Sequence, residues 1–328
     1  MMKIAFLGAG SFGTALTRAA ARSGHQVTVY DRKIEIVDEI NHFHTNKKYL
    51  PELILPTAVE AVHELASAVT GKDLIVFSVP SSAIREMAEK IKHHLTGTEI
   101  IVSIAKGVDP QTLKPLSEVI EEILNIEPVI LSGPSHAEEV AKDLPTTLVA
   151  ASKNEIAMKK VQEVFASSTL RVYRNSDLKG VEIGGAVKNI IALAAGISDG
   201  IGYGDNSKAA LMTRGMAEIV RIGVKMGADK ETFYGLTGMG DLIVTCTSMH
   251  SRNRRCGILI GQGKSMEDAT KQIGMVVEGI KATRSFHDIA KKMNVEMPIT
   301  EAVYSVLFLE VDPMDAVDNL MLRELKKE

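Results

Sequence analysis

The sequence has few cysteines and little net charge, and each shortage argues against a class of protein. Its 328 residues include two cysteines, Cys246 and Cys256, which form no metal-binding or redox motif and are typical of a reducing compartment. The net charge is −3 and the isoelectric point about 6.3. This balance provides no excess of positive charge for binding nucleic acid or an anionic membrane. We therefore expect neither as a partner.

The sequence also lacks a long hydrophobic run. The longest apolar stretch, residues 190–197, is far shorter than a membrane span. The short apolar start runs directly into a glycine motif, and no signal peptide is visible. We expect a cytoplasmic protein without membrane insertion. The chain is 45% hydrophobic and 24% charged, which is normal for a protein with a large core, and its length favours two domains.

A complete G-x-G-x-x-G motif follows an apolar run of strand length at residues 3–7 and precedes a helical pattern. Gly8 permits a tight turn, Gly10 lets backbone amides approach a pyrophosphate, and Gly13 lets helix and strand pack closely. The phosphates would lie at the helix N-terminus, which favours negative charge. In this context the motif favours dinucleotide binding over an ordinary glycine-rich turn.

The second predicted strand, residues 26–30, ends at Asp31, where a carboxylate can accept hydrogen bonds from an adenosine ribose. Further strand-like runs lie at residues 73–79, 99–103, 129–132 and 147–151, with helical patterns at 83–95 and 111–124. Continuous apolar strands that alternate with helices predict a doubly wound parallel sheet covered on both faces. Ligands are expected at the turns after these strands, residues 80–82, 105–107 and 133–135.

Strand-like runs end near residue 180. Long helical patterns follow at residues 181–198, 209–226, 278–293 and 299–309. The predicted fold class is α/β, with an N-terminal Rossmann-type doubly wound sheet domain and an all-helical C-terminal domain. We place the dinucleotide-binding domain at residues 1–179 and the substrate-binding and catalytic domain at residues 180–328.

Lys188 is the only charged residue between Ile183 and Ser198. It shares a helix face with Gly184 and Gly196, so backbone or ligand can approach that side closely. Burial would lower the pKa of its ammonium toward neutrality, which suits a proton donor at physiological pH. A snorkelling or structurally paired lysine is an equally good interpretation of this segment alone.

A second cluster of polar residues comprises Asp241, Ser251, Arg252 and Asn253. The Arg252 guanidinium presents a planar fork of donors that matches a phosphate, with Asn253 and Ser251 as neutral donors. Asp241 lies in a glycine-rich loop and could orient a lysine or bind a hydroxyl. Without further context, a solvated helix start is the favoured interpretation of the arginines.

Seven segments together resemble bacterial members of the NAD(P)-dependent glycerol-3-phosphate dehydrogenase family. They occur in the family's order and are GAGSFGTAL (8–16), AKGV (105–108), LSGPSHAEEV (131–140), VKNI (187–190), LTGMGDL (236–242), SRNR (251–254) and VEG (277–279). The resemblance implies reversible reduction of dihydroxyacetone phosphate to sn-glycerol 3-phosphate by NADH or NADPH, for glycerophospholipid synthesis. It also implies a homodimer.

The resemblance assigns roles to individual positions. Lys188, Lys106 and Asp241 are implied to be catalytic, with Lys188 the proton donor and acceptor. The implied substrate-binding residues are Lys106, Gly133, Ser135, Asp241, Ser251, Arg252 and Asn253. To the cofactor-binding residues already predicted from the motif and the second strand, Gly8, Gly10, Gly13 and Asp31, the resemblance adds Ser11, Phe12, Arg32, Tyr49, Lys106, Ala137, Arg252, Val276 and Glu278. No metal is expected, because the nicotinamide cofactor carries the chemistry.

Some points stay open at this stage. Asp31 repels a 2′-phosphate and favours NADH, whereas Arg32 attracts that phosphate, so we expect use of both coenzymes with some preference for NADH. One alternative is a related 3-hydroxy-acid, 6-phosphogluconate or ketopantoate-type dehydrogenase. The absence of a histidine shortly after Lys188 counts against the hydroxy-acid group. Another is a catalytically inactive nucleotide sensor.

Overall fold

The computed structural model describes residues 1–325 and residue 327. The chain divides into two compact units, Met1–Glu182 and Ile183–Glu328, whereas the predicted boundary lies three residues earlier. The unit roles assigned from the sequence stay predictions.

The first unit contains ten strands: β1 (Lys3–Leu7), β2 (Gln26–Tyr30), β3 (Thr45–Asn46), β4 (Leu50–Ile54), β5 (Val59–Val62), β6 (Leu74–Phe77), β7 (Ile100–Ser103), β8 (Val129–Ser132), β9 (Thr146–Ala151) and β10 (Leu170–Asn175). Its helices are α1 (Ser11–Arg22), α2 (Ile34–Phe43), α3 (Leu65–Val69), α4 (Ile84–Ile91), α5 (Leu116–Leu124), α6 (Ala137–Ala141) and α7 (Glu155–Phe165). Helix α8 (Leu178–Ile201) starts here and continues into the second unit.

Eight of these strands form one sheet in the order β5-β2-β1-β6-β7-β8-β9-β10. The chain winds outwards from β1 in both directions, so a topological switch point lies between β1 and β6, where open α/β sheets bind ligands. The side chains of β1 alternate between two cores: Ile4 and Phe6 enter one apolar cluster, and Ala5 and Leu7 enter the other. This double burial explains its continuous apolar sequence and confirms the predicted doubly wound fold.

Two local predictions were wrong. Strand β9 pairs antiparallel with β8 and parallel with β10, because an apolar run reports burial and carries no information on strand direction. The helix predicted at residues 111–124 begins only at Leu116. Pro115 disfavours a helical residue before it, and Leu113 has a left-handed φ of 60°.

The second unit is helical. After α8 come α9 (Asp205–Lys225), α10 (Asp241–Thr247), α11 (Arg252–Gly261), α12 (Met266–Ile273), α13 (Glu278–Met293), α14 (Pro298–Phe308) and α15 (Pro313–Met321). A 3₁₀ segment (Lys230–Tyr234) and a π-helical turn (Leu236–Gly240) precede α10.

Helix α8 is the one helix among the described residues that is long and apolar enough to cross a membrane. The run judged too short from the sequence is therefore part of a longer apolar helix. Every residue of its most apolar window is buried inside the protein. Core helices of this kind satisfy the same length and hydropathy test as spanning helices.

A buried glutamate caps helix α5. Pro115 precedes that helix and has no side-chain acceptor, whereas Glu182 Oε1 accepts the Ser117 N–H at 2.9 Å and Glu182 Oε2 accepts the Ser117 hydroxyl. Burial raises the pKa of the Glu182 carboxyl from 4.5 to about 7, against the opposing effect of these hydrogen bonds. The carboxyl therefore titrates near neutral pH although it lies in the core.

Replacing Glu182 with glutamine is expected to flatten the pH dependence of stability. Between pH values of about 4.5 and about 7, the folded chain binds more protons at this carboxyl than the unfolded chain. The free energy of unfolding of the wild type therefore falls as pH rises through this window, by about 3 kcal/mol at most. Urea unfolding at about pH 5 and about pH 8 measures the slope.

The exposed Glu121 of helix α5, which Glu182 caps, provides the control. Glu121→Gln is expected to keep the wild-type slope, whereas Glu182→Gln should lose it and be the more stable protein at the higher pH. An unchanged slope in Glu182→Gln would show that this carboxyl does not set the pH dependence.

Candidate active site

The glycine turn of the first unit has the geometry that its sequence predicts. Gly8 has a φ of +112°, and a Cβ there would lie 3.0 Å from the Ser78 carbonyl oxygen. A Cβ on Gly13 would lie 2.7 Å from the Ser78 Cβ, while Gly10 has only one contact, at 3.9 Å. Gly10 is also the N-cap residue of α1 and provides no capping side chain. The turn is therefore tight at Gly8 and Gly13 and open at Gly10, which leaves room for an anion at the helix N-terminus.

Three polar residues hold this turn. Asp31 Oδ2 accepts the Ala9 N–H at 3.0 Å, and the fully buried Asn46 donates through Nδ2 to the Ala9 carbonyl at 2.8 Å. Ser78 Oγ donates to the Gly8 carbonyl at 2.7 Å. Sequence reasoning missed Ser78 and Asn46, because each is a common polar residue far from the glycine motif in the chain. It also missed that Asp31 supports the turn itself.

Lys106, Gly133 and Ser135 are brought together at the carboxyl ends of the neighbouring strands β7 and β8. Lys106 Nζ and Ser135 Oγ each donate to the Gly133 carbonyl, both at 3.0 Å. Gly133 has a φ of +136°, and a Cβ there would lie 3.0 Å from the Thr147 carbonyl oxygen. Glycine is therefore required at this point, and the two polar side chains share one acceptor.

Other predicted cofactor residues of this unit lie near the turn or at helix starts. Ser11 Oγ donates to the Tyr49 carbonyl at 3.3 Å, and the partly buried Phe12 and Tyr49 pack on the same core. Ala137 is buried at the first position of α6. Arg32 is exposed directly after Asp31.

The second unit places Lys188 in a buried polar cluster. Lys188 Nζ donates to Asp241 Oδ1 at 2.7 Å and to Thr245 Oγ1 at 2.6 Å, and all three residues are at most 5% exposed. Asp241 and Thr245 lie one turn apart on α10, so both face Lys188. Gly238 fixes the preceding π-helical turn, because a Cβ there would lie 2.0 Å from the Phe233 carbonyl oxygen. Thr245 was missed from the sequence.

An amide pair joins helix α8 to helix α11. Asn253 Nδ2 donates to Asn189 Oδ1 at 2.9 Å, and Asn253 Oδ1 accepts the Gly279 N–H at 2.8 Å. Asn189 directly follows Lys188, yet the sequence analysis gave it no role. These bonds fix the Asn253 amide and leave one of its two N–H donors for another acceptor.

The N-terminus of α11 carries the remaining substrate candidates. Ser251 caps the helix by accepting the Arg254 N–H at 3.2 Å, and the partly buried Arg252 is its first residue. Val276 and Glu278 lie at the start of α13, beside Gly279. The structure thus brings Asn253 to Asn189 and Lys188 to Asp241.

Glycines bring the main chains of α8 and α11 into contact. A Cβ on Gly196 would lie 2.1 Å from the Arg254 carbonyl oxygen, and a Cβ on Gly257 would lie 2.2 Å from the Leu193 carbonyl oxygen. Likewise, a Cβ on Gly184 would lie 2.8 Å from the Thr237 carbonyl oxygen. The predicted close approach of backbone to this face of α8 is therefore confirmed.

Neither of the two cysteines is a reactive thiol. Burial raises the pKa of the Cys246 thiol to about 12 and that of Cys256 to about 11, so neither is a reactive thiolate near neutral pH. In the part of the chain that the structure describes, no three His, Cys, Asp or Glu side chains are grouped as metal ligands.

The glycine turn at the sheet's switch point fits a dinucleotide, and the Lys188–Asp241 pair supplies a buried cation of the kind used in carbonyl reduction. Together these features define a two-unit nicotinamide-dependent dehydrogenase. Residues 3–158 match the NAD-dependent glycerol-3-phosphate dehydrogenase N-terminus, and residues 177–318 match the C-terminus of the same family. The chain belongs to the NAD-dependent glycerol-3-phosphate dehydrogenase family, whose N-terminal domain binds NAD(P).

Individual relatives agree with this assignment. The chain is 57% identical over 326 residues to glycerol-3-phosphate dehydrogenase [NAD(P)+] of Clostridium acetobutylicum, covering 99% of this chain and 98% of the relative. A crystal structure of glycerol-3-phosphate dehydrogenase from Coxiella burnetii matches with a TM-score of 0.96 and 39% identity, over 98% of this chain and 99% of that one.

The alternative enzyme class shares only the fold. A ketopantoate reductase from Ralstonia eutropha matches with a TM-score of 0.64 at 16% identity, over 96% of this chain and 100% of that chain. Identity this low indicates a common architecture and carries no information on substrate.

Proposed function

We propose that this chain catalyses the reversible reduction of dihydroxyacetone phosphate to sn-glycerol 3-phosphate with NADH or NADPH, for glycerophospholipid synthesis. The observation that carries the proposal is the buried cluster of Lys188, Asp241 and Thr245 in a member of this family. Burying an ammonium and a carboxylate costs desolvation free energy, which their attraction and hydrogen bonds must offset. A pair that is kept in the core at this cost is a candidate for a function. Here they lie on α8 and α10, and α8 packs against α11, which begins with Arg252 and Asn253.

The first unit would hold the nicotinamide cofactor, which supplies the hydride when bound. The α1 N-terminus and the open position at Gly10 would receive its pyrophosphate, and Asp31 and Arg32 would lie toward its adenosine end. Ser11, Phe12, Tyr49 and Ala137 would contact it. These are assignments that cofactor titration of variants can test one by one.

The polar side chains would act on the substrate as follows. Lys188 would give a proton to the carbonyl oxygen as negative charge develops there, and take it back in the oxidative direction. Asp241 would hold the ammonium in place, and Lys106 would add positive potential from a strand end. Ser135 would contact the substrate beside Gly133.

The phosphate of the substrate would be bound at the start of α11. The Arg252 guanidinium offers paired charge-assisted donors, and the remaining Asn253 N–H and the Ser251 hydroxyl offer neutral ones. A phosphate held there would also orient the carbonyl group of the same molecule. The binding energy of the phosphate would in this way lower the barrier for reduction of the carbonyl carbon.

Coenzyme preference is a separate prediction. Asp31 adds negative charge where a 2′-phosphate would lie, and both of its carboxylate oxygens already accept backbone N–H groups, from Ala9 and Lys33. Exposed Arg32 acts in the opposite sense, so we expect both coenzymes to work, with NADH preferred. Steady-state kinetics should give a kcat/KM ratio of NADPH over NADH below one. A ratio well above one would contradict this assignment.

The proposed function is tested by mixing the full chain, reduced cofactor and dihydroxyacetone phosphate and following loss of the near-ultraviolet absorbance of the reduced nicotinamide. A small panel of 2-keto acids and unphosphorylated ketones separates this activity from that of related dehydrogenases. Turnover of dihydroxyacetone phosphate above the other ketones is expected. No turnover with either coenzyme would favour the nucleotide-sensor alternative.

We further propose that the protein is a homodimer and works in the cytoplasm. Two buried, unpaired cysteines suit a reducing compartment, and a symmetric dimer is the commonest assembly of soluble enzymes. Sedimentation of the purified chain would decide its oligomeric state.

A further inference from the structure

We propose that Arg254 is a positioning residue that holds helices α8, α10 and α11 in the arrangement that the reaction needs. The inference rests on the proposed function, and it concerns a residue that, unlike Arg252, was assigned no role from the sequence. Its evidence lies entirely within the second unit.

The Arg254 guanidinium bonds to two helices besides its own. Its Nε and Nη2 donate to Asp199 Oδ2 at 2.9 and 2.7 Å, and Asp199 lies near the end of α8. Its Nη1 donates to the main-chain carbonyl of Thr247, the last residue of α10, at 3.0 Å. Lys208 of α9 contacts the other Asp199 oxygen at 2.9 Å. One side chain thus ties together the ends of three helices.

The pair is shielded from solvent. The side chains of Arg254 and Asp199 are 13% and 14% exposed, so their charge-assisted bonds are stronger than those of a surface ion pair. The flat guanidinium can direct donors at Asp199 and at Thr247 together. A lysine ammonium keeps the charge and loses this fixed fork.

These three helices carry the proposed reaction groups. Helix α8 holds Lys188, α10 holds Asp241 and Thr245, and α11 begins with Arg252 and Asn253. Arg254 follows Arg252 and Asn253 directly, so movement of its backbone moves both.

The packing leaves little room for such movement to be absorbed elsewhere. The Arg254 carbonyl lies against Gly196, where even a methyl group would clash at 2.1 Å. Loss of the guanidinium bonds is therefore expected to tilt the start of α11 relative to Lys188. A displacement of about 1 Å at a substrate-positioning group can cost about 100-fold in rate.

The test compares Arg254→Lys, Asp199→Asn and the double variant, with Arg221→Ala as the matched control. Arg221 also donates to a main-chain carbonyl, that of Glu296, but touches none of the three helices through that bond. For each protein, kcat and KM for dihydroxyacetone phosphate and KM for NADH are measured below the melting temperature. Arg254→Lys is chosen because it keeps the charge and is the variant most able to fold.

We expect Arg254→Lys to lower kcat/KM for dihydroxyacetone phosphate by about 10- to 100-fold, with a raised KM, while KM for NADH changes by less than about two-fold. The double variant should resemble Arg254→Lys alone, because the two side chains act as a unit. Arg221→Ala should match the wild type.

Two outcomes would overturn the proposal. One is an unchanged KM for dihydroxyacetone phosphate in Arg254→Lys, including a kcat that falls only with the folded fraction. The other is full additivity of the two substitutions. A wild type that does not turn over would instead refute the proposed function, so the two failures are distinguishable.

Discussion

Replacing Lys188 with alanine is expected to lower kcat by about 100- to 10,000-fold, the range over which a positioned proton donor contributes. The ammonium lies 2.7 Å from Asp241 Oδ1 and 2.6 Å from Thr245 Oγ1. We propose that it compensates the negative charge that develops on the carbonyl oxygen and supplies the proton to that oxygen. Steady-state rates with saturating NADH and dihydroxyacetone phosphate measure the loss.

The design must separate chemistry from folding. Lys188→Ala leaves the buried Asp241 carboxylate without its cation, which is itself destabilising by about 3–5 kcal/mol. Lys188→Met, close in volume, should be combined with Asp241→Asn to remove both charges and restore stability. This double variant should bind NADH as the wild type does and remain inactive. Activity near that of the wild type would refute the role of Lys188.

Replacing Arg252 with alanine is expected to raise KM for dihydroxyacetone phosphate by about 100-fold, because charge-assisted bonds to a phosphate are lost. Part of the loss should extend to kcat, since a phosphate held less firmly orients the carbonyl less well. Initial rates over a wide range of dihydroxyacetone phosphate concentration, at fixed NADH, give both constants.

Arg255 is the matched control, because it lies on the same helix and has no predicted contact with substrate. Arg255→Ala should keep the wild-type KM. Unphosphorylated dihydroxyacetone supplies a second comparison: with this ketone, Arg252→Ala and the wild type should have similar kcat/KM. An equal loss with both ketones would show that Arg252 does not act through the phosphate.

Much of the fold follows from local patterns in the sequence. Strands β1 and β6 are buried on both faces, so their continuous apolar runs were sufficient to predict them. Strand β5 (Val59–Val62) is short, has the exposed Glu60 between two buried residues, lies at the sheet edge and gave no comparable signal. Strand β10, at the other edge, was missed for the same reason, since its Arg171 and Tyr173 face solvent.

The candidate site was predictable only where a residue is unusual for its surroundings. Lys188 is one charge in an apolar helix, and glycine at residues 8, 10 and 13 has a spacing with a mechanism. Thr245 and Asn46 are ordinary polar residues whose importance arises from contacts across 57 and 37 residues of chain. Such long-range pairing is a property of the packed fold and leaves no local pattern.

Arginines illustrate the same limit. From the sequence, Arg252 was assigned a role and Arg254 none, yet the guanidinium of Arg254 bonds to Asp199 and to the end of α10. Gly184 and Gly196 of α8 were predicted to allow close approach. Which backbone they would meet became clear only from the packed helices.

The most direct measurement of the central claim is the fate of the transferred hydrogen. The full chain is incubated with dihydroxyacetone phosphate and NADH deuterated at the transferable position of its nicotinamide, and the product is analysed by mass spectrometry and NMR. The account predicts sn-glycerol 3-phosphate with a single deuterium on its central carbon, formed by the wild type and nearly absent with Lys188→Met. Unlabelled product, a different labelled alcohol, or equal labelling by the variant would contradict it.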